Sequence, residues 1–581
     1  MKDFLKMVLA VIVGLIVVSV VSSFLCIALF GALAAIGSSS TSLPKSFALC
    51  LDLGNTTVAE QSKKDMPSIP GIGTQAMSTI GLWDAVQAIN AAAEDPAVKY
   101  LYIKGDGNVT SVATLYELRQ SLKKFRASGK AIVAYTDAPT TGSYYISSVA
   151  DKIYMTPHPG ATTQFTGVST QMFFLKDLLD KLGVNVQLIR HGKYKSAGEM
   201  YIRSTPSEEN REQYQVMVNS LWDSMAQEIA QSRNISVEAL NAALDQLKLC
   251  TPQDFLEQGF VDELLTRTEL QDKLATLAVE EKYDNVKWVS LADYAAARIL
   301  PSKAKNKIAV IYADGQIVDG NGKTEISGTY FASTIQKVRA DSTIKAVVLR
   351  VNSPGGAVLA AEKIKNELDL LKQVKPLIAS YGDYAASGGY WISAAADKIF
   401  TDPVTLTGSI GVFGMIPDFS QTLKDVAHVN AVSISSNEHG DMFSLMRPFD
   451  QAEYEYMQTQ IEGIYTRFTN LVSDGRGLSV DAVDEVGQGR VWTGSDALGI
   501  RLVDEIGTLE DALTYAAAVA GDTELKNWNI TGYPKPQTQI EQLMEMFGSE
   551  SGNDEAALVK LAGDLSKPQV IARLPYDIVI R

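Results

Sequence analysis

The chain has 581 residues, of which 46% are hydrophobic and 20% charged, and its formal net charge is −15. A chain of this length exceeds what a single hydrophobic core usually supports, so we expect two or more domains. The acidic balance, without a block of lysines and arginines, argues against a nucleic-acid partner. Four histidines, none in a metal-ligand spacing, argue against a metal site and against a Ser-His-Asp triad.

The first predicted element is a long apolar run at the N-terminus. Residues 7–36 carry no charge and follow Lys2 and Lys6. A helix needs only about 20 residues to cross a bilayer, and this run is longer than the apolar region of a cleaved signal peptide. The preceding lysines keep the N-terminus in the cytoplasm. We therefore expect residues 1–40 to form a single transmembrane anchor in the cytoplasmic membrane, with the remainder of the chain outside the cytoplasm.

The body of the chain contains an internal duplication. The run Y-T-D-A-P-T-T-G-S-Y-Y-I-S-S-V-A-D-K-I, from Tyr135, aligns without a gap with Y-G-D-Y-A-A-S-G-G-Y-W-I-S-A-A-A-D-K-I, from Tyr381, at an offset of 246 residues. The same offset pairs V-K-Y-L-Y-I-K with I-K-A-V-V-L-R. We predict two diverged copies of one unit, at 41–300 and 301–520, followed by a tail of unknown role at 521–581.

Each copy alternates short β-branched runs with amphipathic stretches of helical period, which predicts an α/β fold with a mostly parallel sheet. One helix start is predicted by Thr205 as N-cap, Pro206 at the first helical position and Glu208 three residues after the cap. The helix that follows should bury one stripe of apolar side chains, formed by Met217, Leu221, Met225 and Ile229.

The two copies differ where chemistry would be expected. After a strand, the second copy has N-S-P-G-G at 352–356, whereas the first has D-G-N-V-T at 106–110. Paired glycines can turn backbone N–H groups toward a ligand, as in an oxyanion hole, or simply form a tight turn. Ser387, which has Thr141 opposite it, lies among small residues at a predicted helix start. It is therefore a candidate nucleophile or an ordinary N-cap.

A serine nucleophile needs a base, and a lysine whose pKa is lowered by burial can serve. The first copy offers Lys193 and Lys195 after an apolar strand, where the second copy has no lysine. One copy thus keeps the lysine and the other keeps the serine and the glycines. This pattern predicts one composite site between the two copies.

With these motifs in view, the chain resembles the signal peptide peptidase A (protease IV) family in its long, duplicated form, within the Clp protease and crotonase superfamily. The resemblance rests on the anchor, the duplication, and the motifs Y-K-S-A at 194–197, N-S-P-G-G at 352–356, A-S-G-G-Y-W at 386–391 and L-T-G-S-I-G-V-F-G at 406–414. It extends to about residue 520. The roles that it implies are nucleophile for Ser387, general base for Lys195, orientation of the lysine for Ser409, and the oxyanion hole for Gly356 and Gly388.

The resemblance also implies a crotonase-like (Clp-protease-like) domain in each copy, a homotetramer, no cofactor, and apolar peptide substrates, remnant signal peptides above all. It further implies that the membrane is the bacterial cytoplasmic (inner) membrane, with the catalytic part on the periplasmic side. Lys193 is the alternative base. Two rival functions are a crotonase-type acyl-CoA enzyme and a membrane-tethered scaffold whose catalytic groups have decayed. Of the three cysteines, Cys26 falls in the anchor, and we expect Cys50 and Cys250 to be buried free thiols, although the sequence leaves their pairing open.

Overall fold

The computed structural model describes residues 42–61, 78–107 and 110–535, together with the backbone of Gln569–Arg573. The predicted anchor at 1–40 lies outside these residues. Within the described part of the chain, no helix is both long enough and apolar enough to cross a membrane.

The first half of the chain forms a six-stranded sheet in which every pairing is parallel. Its strand order is β8-β6-β5-β4-β1-β9, and a separate pair, β2-β3, lies beside it. The strands are β1 (Phe47–Asp52), β2 (Thr56–Ala59), β3 (Ser78–Gly81), β4 (Val98–Lys104), β5 (Ile132–Thr136), β6 (Lys152–Met155), β7 (Asn185–His191), β8 (Glu263–Leu264) and β9 (Trp288–Ser290).

The second half repeats this sheet in the same spatial order. Its strands run β20-β16-β15-β13-β10-β21, and β17 and β19 extend the sheet beyond β15. Only the β17–β19 pairing is antiparallel among these strands, so the predicted mostly parallel α/β sheet is confirmed. The strands are β10 (Lys307–Asp314), β11 (Ile317–Val318), β12 (Ile326–Ser327), β13 (Ile344–Ser353), β14 (Gly355–Ala357), β15 (Leu377–Ala386), β16 (Lys398–Thr401), β17 (Leu406–Gly408), β18 (Val412–Asp418), β19 (Val491–Thr493), β20 (Glu505–Ile506), β21 (Asn529–Tyr533) and β22 (Gln569–Arg573).

Strand β21 lies beyond residue 520, inside the segment predicted to be a tail. It pairs with β10 in parallel, as β9 pairs with β1 in the first half. The second sheet therefore includes residues up to Tyr533. The boundary drawn at 520 missed this strand because it depended on motif similarity, and the two edge strands share no motif.

Helices cover both faces of each sheet. Along β10, Ala309 and Ile311 belong to one apolar cluster, whereas Ile308 and Val310 belong to another, because successive side chains of a strand point to opposite faces. The first-half helices are α1 (Leu82–Glu94), α2 (Val112–Ala127), α3 (Thr141–Ser147), α4 (Lys176–Lys181), α5 (Glu199–Ile202), α6 (Glu208–Arg233), α7 (Val237–Asp245), α8 (Pro252–Glu257), α9 (Arg267–Ala278) and α10 (Leu291–Arg298). Those of the second half are α11 (Gly328–Ala340), α12 (Val358–Lys372), α13 (Gly388–Ser393), α14 (Gln451–Arg476), α15 (Val480–Val486), α16 (Gly494–Gly499) and α17 (Leu509–Val519).

The start of helix α6 differs from the prediction. Ser207 is its N-cap, and the Ser207 hydroxyl accepts a hydrogen bond from the Asn210 N–H, so the assignment of Thr205 as N-cap and Pro206 as first helical residue was wrong. Ser207 has extended backbone angles and lies one residue before the helix, where its short hydroxyl reaches the free N–H groups of the first turn. The predicted stripe on this helix, Met217, Leu221, Met225 and Ile229, is buried as expected.

A third sheet joins the two halves, in the order β12-β11-β14-β22-β18-β7. Strand β7, from the first half, pairs antiparallel with β18 from the second, with His191 opposite Val412. Since β7 leads directly into the Y-K-S-A motif and β18 follows L-T-G-S-I-G, this pairing brings the two motif-bearing loops together.

A buried ion-pair network also connects the halves. The guanidinium of Arg350, on β13, lies 2.8 Å from a carboxylate oxygen of Glu60 and 2.6 Å from one of Glu117. All three side chains are almost fully buried. Removing one member would leave an uncompensated charge in the interior, which is strongly destabilising.

Candidate active site

Ser387 lies at a sharp turn between strand β15 and helix α13. Its φ of 55° falls in the left-handed region, which is strained for a residue with a Cβ. Its N–H donates to the Gly408 carbonyl on the neighbouring strand, and its carbonyl accepts the first helical hydrogen bond from Trp391. Hydrogen bonds on both sides of the residue thus hold its backbone in this conformation.

The first copy shows what an N-cap looks like at the start of the corresponding helix, one residue before Thr141, the counterpart of Ser387. There Thr140 caps helix α3, and its hydroxyl and that of Ser143 form reciprocal hydrogen bonds with the backbone. Ser387 makes no such side-chain cap. The sequence left two interpretations of Ser387 open, a nucleophile and an ordinary N-cap. The geometry excludes the second, because the hydroxyl does not cap the helix.

The amine of Lys195 reaches Ser387 from the other half of the chain. Lys195 Nζ lies 2.9 Å from Ser387 Oγ, 2.9 Å from Ser409 Oγ and 3.2 Å from the Ser409 carbonyl oxygen. All three side chains are buried. The residues that the motifs singled out in separate copies therefore meet in one hydrogen-bonded cluster.

Burial changes the protonation of this lysine. Because the ammonium loses its water without gaining a carboxylate partner, its pKa falls from the ordinary 10.5 to about 7. A substantial fraction of the amine is consequently neutral near neutral pH and can accept a proton from the serine hydroxyl.

The lysine loop is fastened to the second half by its backbone. The Tyr194 N–H donates to the Gln488 carbonyl, and a Cβ on Gly489 would lie 2.6 Å from the backbone nitrogen of Lys195. Gln213, on helix α6, donates its side-chain N–H to the Tyr194 carbonyl and accepts from the Val491 N–H. These contacts fix the position of the lysine relative to the strands that carry the serines.

A second buried group supports the same loop from within the first half. Arg190 donates to the Lys195 carbonyl at 2.7 Å and pairs with Glu199 at 3.1 Å. The Glu199 carboxylate in turn accepts hydrogen bonds from Ser207 and Asn210 at the start of helix α6. Arg190, Glu199 and Gln213 were not predicted from the sequence. The signals that could have indicated this support were the charged residues Arg190 and Glu199 on either side of the Y-K-S-A motif, and the G-Q-G run at 487–489.

The glycines predicted for the oxyanion hole lie next to the serine. A Cβ on Gly356 would approach the Ile317 carbonyl oxygen to 1.8 Å, so no other residue fits there without movement. A Cβ on Gly388 would lie 3.1 Å from the Gly356 nitrogen, which places the two glycines side by side. The two predicted glycines are therefore neighbours in space.

Other residues considered from the sequence lie elsewhere. Lys193 is exposed, with its amine over the Tyr194 ring, and is not part of the cluster. His191 stacks on Tyr465 and pairs with Glu462. Both described cysteines are free thiols, as expected, but the prediction that both are buried was wrong. Cys50 is half-buried, and Cys250 is exposed because it lies in a surface loop before helix α8.

One group in the described part of the chain has the spacing of a metal site. Ligand atoms of His439, Asp450 and Glu453 lie within 4.8 Å of one another. Both carboxylate oxygens of Glu453, however, receive hydrogen bonds at 2.7 Å from the guanidinium of Arg447. The arginine supplies the positive charge that a metal ion would bring, so this cluster is explained as an ion-pair network.

The comparisons with known proteins agree with the duplication. The model of peptidase family S49 matches residues 124–280 and 369–522, one region in each half. The chain belongs to peptidase family S49. It is a serine protease in the tandem, duplicated form of this family.

Relatives of known name cover most of the chain. A Haemophilus influenzae protein called Protease 4 is 33% identical over 84% of this chain and 82% of its own length. A Salmonella typhi Protease 4 is 34% identical over 82% of this chain and 78% of its own length. The chloroplastic serine protease SPPA of Arabidopsis thaliana is 28% identical over 82% of this chain and 71% of its own length.

These findings bear on the rival functions and on the fold. As a serine protease of this family, the protein is neither an acyl-CoA enzyme nor an inert scaffold. Among solved structures, a ClpP1 mutant of Listeria monocytogenes matches 35% of this chain and 93% of its own, at 16% identity and a TM-score of 0.24. This likeness is too low to assign the fold, so the crotonase-like, Clp-protease-like domains stay a prediction within the α/β class.

Proposed function

We propose that the protein hydrolyses peptide bonds with a Ser-Lys dyad formed by Ser387 and Lys195. The supporting observation is the 2.9 Å separation of Lys195 Nζ and Ser387 Oγ, combined with a lysine pKa that burial lowers to about 7. The neutral amine removes the hydroxyl proton as Ser387 Oγ attacks the substrate carbonyl. It returns that proton to the leaving amine, and it then activates the water that hydrolyses the acyl-enzyme.

The surrounding groups have distinct tasks in this mechanism. Ser409 holds the lysine amine directed at Ser387 through its hydroxyl and its carbonyl oxygen. The N–H groups of Gly356 and Gly388 stabilise the negative oxygen of the tetrahedral intermediate. No metal or cofactor takes part.

We further propose apolar peptides as substrates, in particular remnant signal peptides in the membrane, and a homotetramer tethered by residues 1–40 to the cytoplasmic membrane with its site on the periplasmic side. The relatives, which are named proteases, support peptide substrates, and the apolar N-terminal run supports the tether. The choice of remnant signal peptides and of a homotetramer follows from the family resemblance alone. Cell fractionation with and without residues 2–36, followed by protease accessibility in spheroplasts, tests the tether and its orientation.

The dyad is tested by hydrolysis of an apolar fluorogenic peptide by the detergent-solubilised full chain. Lys195→Ala and Ser387→Ala should each abolish turnover, with a loss of several orders of magnitude, because either change removes the activated nucleophile. Lys193→Ala is the matched control, two residues away and exposed, and should retain the parent rate. Full activity of Lys195→Ala would exclude the dyad.

A further inference from the structure

Residues 488–490, between helix α15 and strand β19, contact both loops that carry the candidate lysine and its hydrogen-bond partner. The Gln488 carbonyl accepts a hydrogen bond from the Tyr194 N–H, one residue before the lysine. The Arg490 carbonyl accepts a hydrogen bond from the Ser409 N–H at 2.7 Å. We call residues 488–490 the bracket, because its first residue holds the lysine loop and its last residue holds the Ser409 loop.

The bracket stabilises a strained residue. The φ of Ser409 is 48°, in the left-handed region that a residue with a Cβ rarely adopts. Its hydroxyl and its carbonyl oxygen both face the Lys195 amine. The Arg490 carbonyl binds the N–H of this residue, and the Gly489 N–H donates to the carbonyl of the next residue, Ile410. The groups that bind the lysine amine are thus held in place by the backbone of the bracket.

The side chain of Arg490 joins the two halves of the chain. Its guanidinium carbon lies 4.5 Å from the centroid of the Trp492 ring, in the second half, and 4.8 Å from that of the Tyr194 ring, in the first. One of its terminal nitrogens is 3.3 Å from the Tyr194 hydroxyl and 3.3 Å from a carboxylate oxygen of Glu212, on helix α6. The side chain is only 17% exposed.

The chemistry of arginine suits this position. A cation over an aromatic ring is attracted by the electrons of the ring, and more strongly where water is largely excluded. The guanidinium is planar, so it lies flat on a ring and still directs its N–H groups at hydrogen-bond acceptors, which an ammonium group does not do. Tyr194 is therefore held by the side chain of Arg490 as well as by the backbone of the bracket.

We propose that Arg490 is a positioning residue for the general base: by holding Tyr194 and Ser409 at the same time, it keeps the Lys195 amine enclosed and in contact with Ser409. This inference rests on the proposed function, in which Lys195 is the base. Arg490 acts through these two neighbours rather than by contact with the substrate. Loss of its side chain should loosen the lysine loop, admit water to the amine and make the ammonium form more favourable.

Charged and titratable groups face the lysine loop from each element packed against it, so charge has to be separated from packing. They are Arg190, His191, Lys193 and Tyr194 on the lysine's own strand and loop, Glu199 and Glu212 on helices α5 and α6, Glu462 and Tyr465 on helix α14, Asp484 on helix α15, and Arg490 itself. Burial, rather than any of these charges, lowers the pKa of Lys195. The variants below therefore include one that keeps the charge of Arg490.

The first measurement is the pH profile of kcat/KM for an apolar fluorogenic peptide, with the full chain. Arg490→Met should move the apparent pKa of the profile upward by about one unit, because water reaches the amine. The rate should then fall about fivefold at pH 7 and stay within about twofold of the parent at pH 9, where the amine is neutral in both proteins. A loss of equal size at pH 7 and pH 9 would overturn the proposal, because the base would have kept its environment.

Two variants separate packing from charge. Arg490→Lys keeps the positive charge but not the planar group, and it should shift the profile in the same direction as Arg490→Met. A parent-like profile for Arg490→Lys would attribute the effect to charge and overturn the proposal. Lys193→Met is the matched control, since the exposed Lys193 amine lies 5.1 Å from the centroid of the same Tyr194 ring. This variant should keep the parent profile.

A double-mutant cycle tests whether Arg490 acts through Tyr194. Tyr194→Leu removes the ring and should shift the profile as Arg490→Met does. The double variant should shift it no further than either single change, because both remove the same contact. Shifts that add in the double variant would show that the two residues act independently, which contradicts the proposal.

The second measurement does not depend on hydrolysis. The pKa of Lys195 is lower in the folded protein than in the unfolded one, so between pH 6 and pH 9 this residue makes the free energy of unfolding rise with pH. The rise is obtained from urea unfolding of each protein and of its Lys195→Met counterpart. Arg490→Met should reduce this Lys195-dependent rise to about half. The same curves show whether each variant is folded, and Arg490→Gln replaces Arg490→Met if the latter is not.

The two measurements keep this inference separate from the proposed function. A halved rise in Arg490→Met, with no hydrolysis by any form including the parent, would support the role of Arg490 in enclosing Lys195 and refute the proposed function. Hydrolysis by the parent, with an unchanged profile and an unchanged rise in Arg490→Met, would overturn the inference and leave the proposed function standing.

Discussion

The low pKa of Lys195 makes the pH dependence of hydrolysis the most discriminating prediction. With an ordinary lysine pKa of 10.5, about one amine in 3,000 would be neutral at pH 7, whereas a pKa of about 7 leaves about half of them neutral. The shift corresponds to about 5 kcal/mol of differential stabilisation of the neutral amine, and burial alone produces it. The site therefore supplies the base by excluding water from it.

The expected profile follows directly. The neutral fraction is about 9% at pH 6 and about 91% at pH 8, so kcat/KM should rise about tenfold over this interval and level off above it. The assay is hydrolysis of a fluorogenic peptide at low substrate concentration in buffers of constant ionic strength. Under these conditions kcat/KM reports the free enzyme.

Controls assign the titration to Lys195. Histidines as a class also titrate in this range, so His191→Gln and His439→Gln serve as controls. Either variant can alter the size of kcat/KM, but neither should shift the apparent pKa of its pH profile. Lys193→Ala should behave in the same way. A profile that is flat between pH 6 and 8, or one that rises only near pH 10, would refute the argument that burial creates the base.

The remaining predictions concern the support of the site and the junction of the halves. Ser409→Ala removes one hydroxyl partner of the amine and should lower kcat by about tenfold, the equivalent of one hydrogen bond of about 1.5 kcal/mol, with little change in KM. Lys195→Met should raise the free energy of unfolding by up to several kcal/mol below pH 7. This gain should shrink as pH rises from 7 toward 10.5. Over that range the unfolded parent binds one more proton than the folded parent, so the free energy of unfolding of the parent rises with pH. Urea unfolding of both proteins at pH 6 and pH 9 checks both signs. Arg350→Met leaves the buried Glu117 without its counter-charge and should cost about 3–5 kcal/mol. A loss below 1 kcal/mol in urea unfolding would show that the ion pair between the halves contributes little.

How much of this protein can be predicted from sequence depends on whether the signal is local. The parallel sheets can be predicted from the periodicity of apolar residues within short runs. The duplication can be predicted from the similarity between the segments that begin at Tyr135 and at Tyr381. The start of helix α6 was misplaced because Thr205 and Ser207 are both residue types that favour the N-cap position. Only the backbone conformation shows that Ser207 is the one that occupies it. The assignment of roles to Ser387 and Lys195 came from motifs, and it stays a prediction until the variants are measured.

The sequence by itself determined which residue types are available for chemistry and in which copy each one is found. Only the tertiary structure decided that the side chains of Lys195 and Ser387, 192 residues apart in sequence, are hydrogen-bonded to each other. It also decided that the lysine is buried, and that a strand from the end of the chain pairs with the strand that contains Gly356. The physical reason is that desolvation and strand pairing depend on neighbours brought in from distant parts of the chain, which no local pattern of residues encodes.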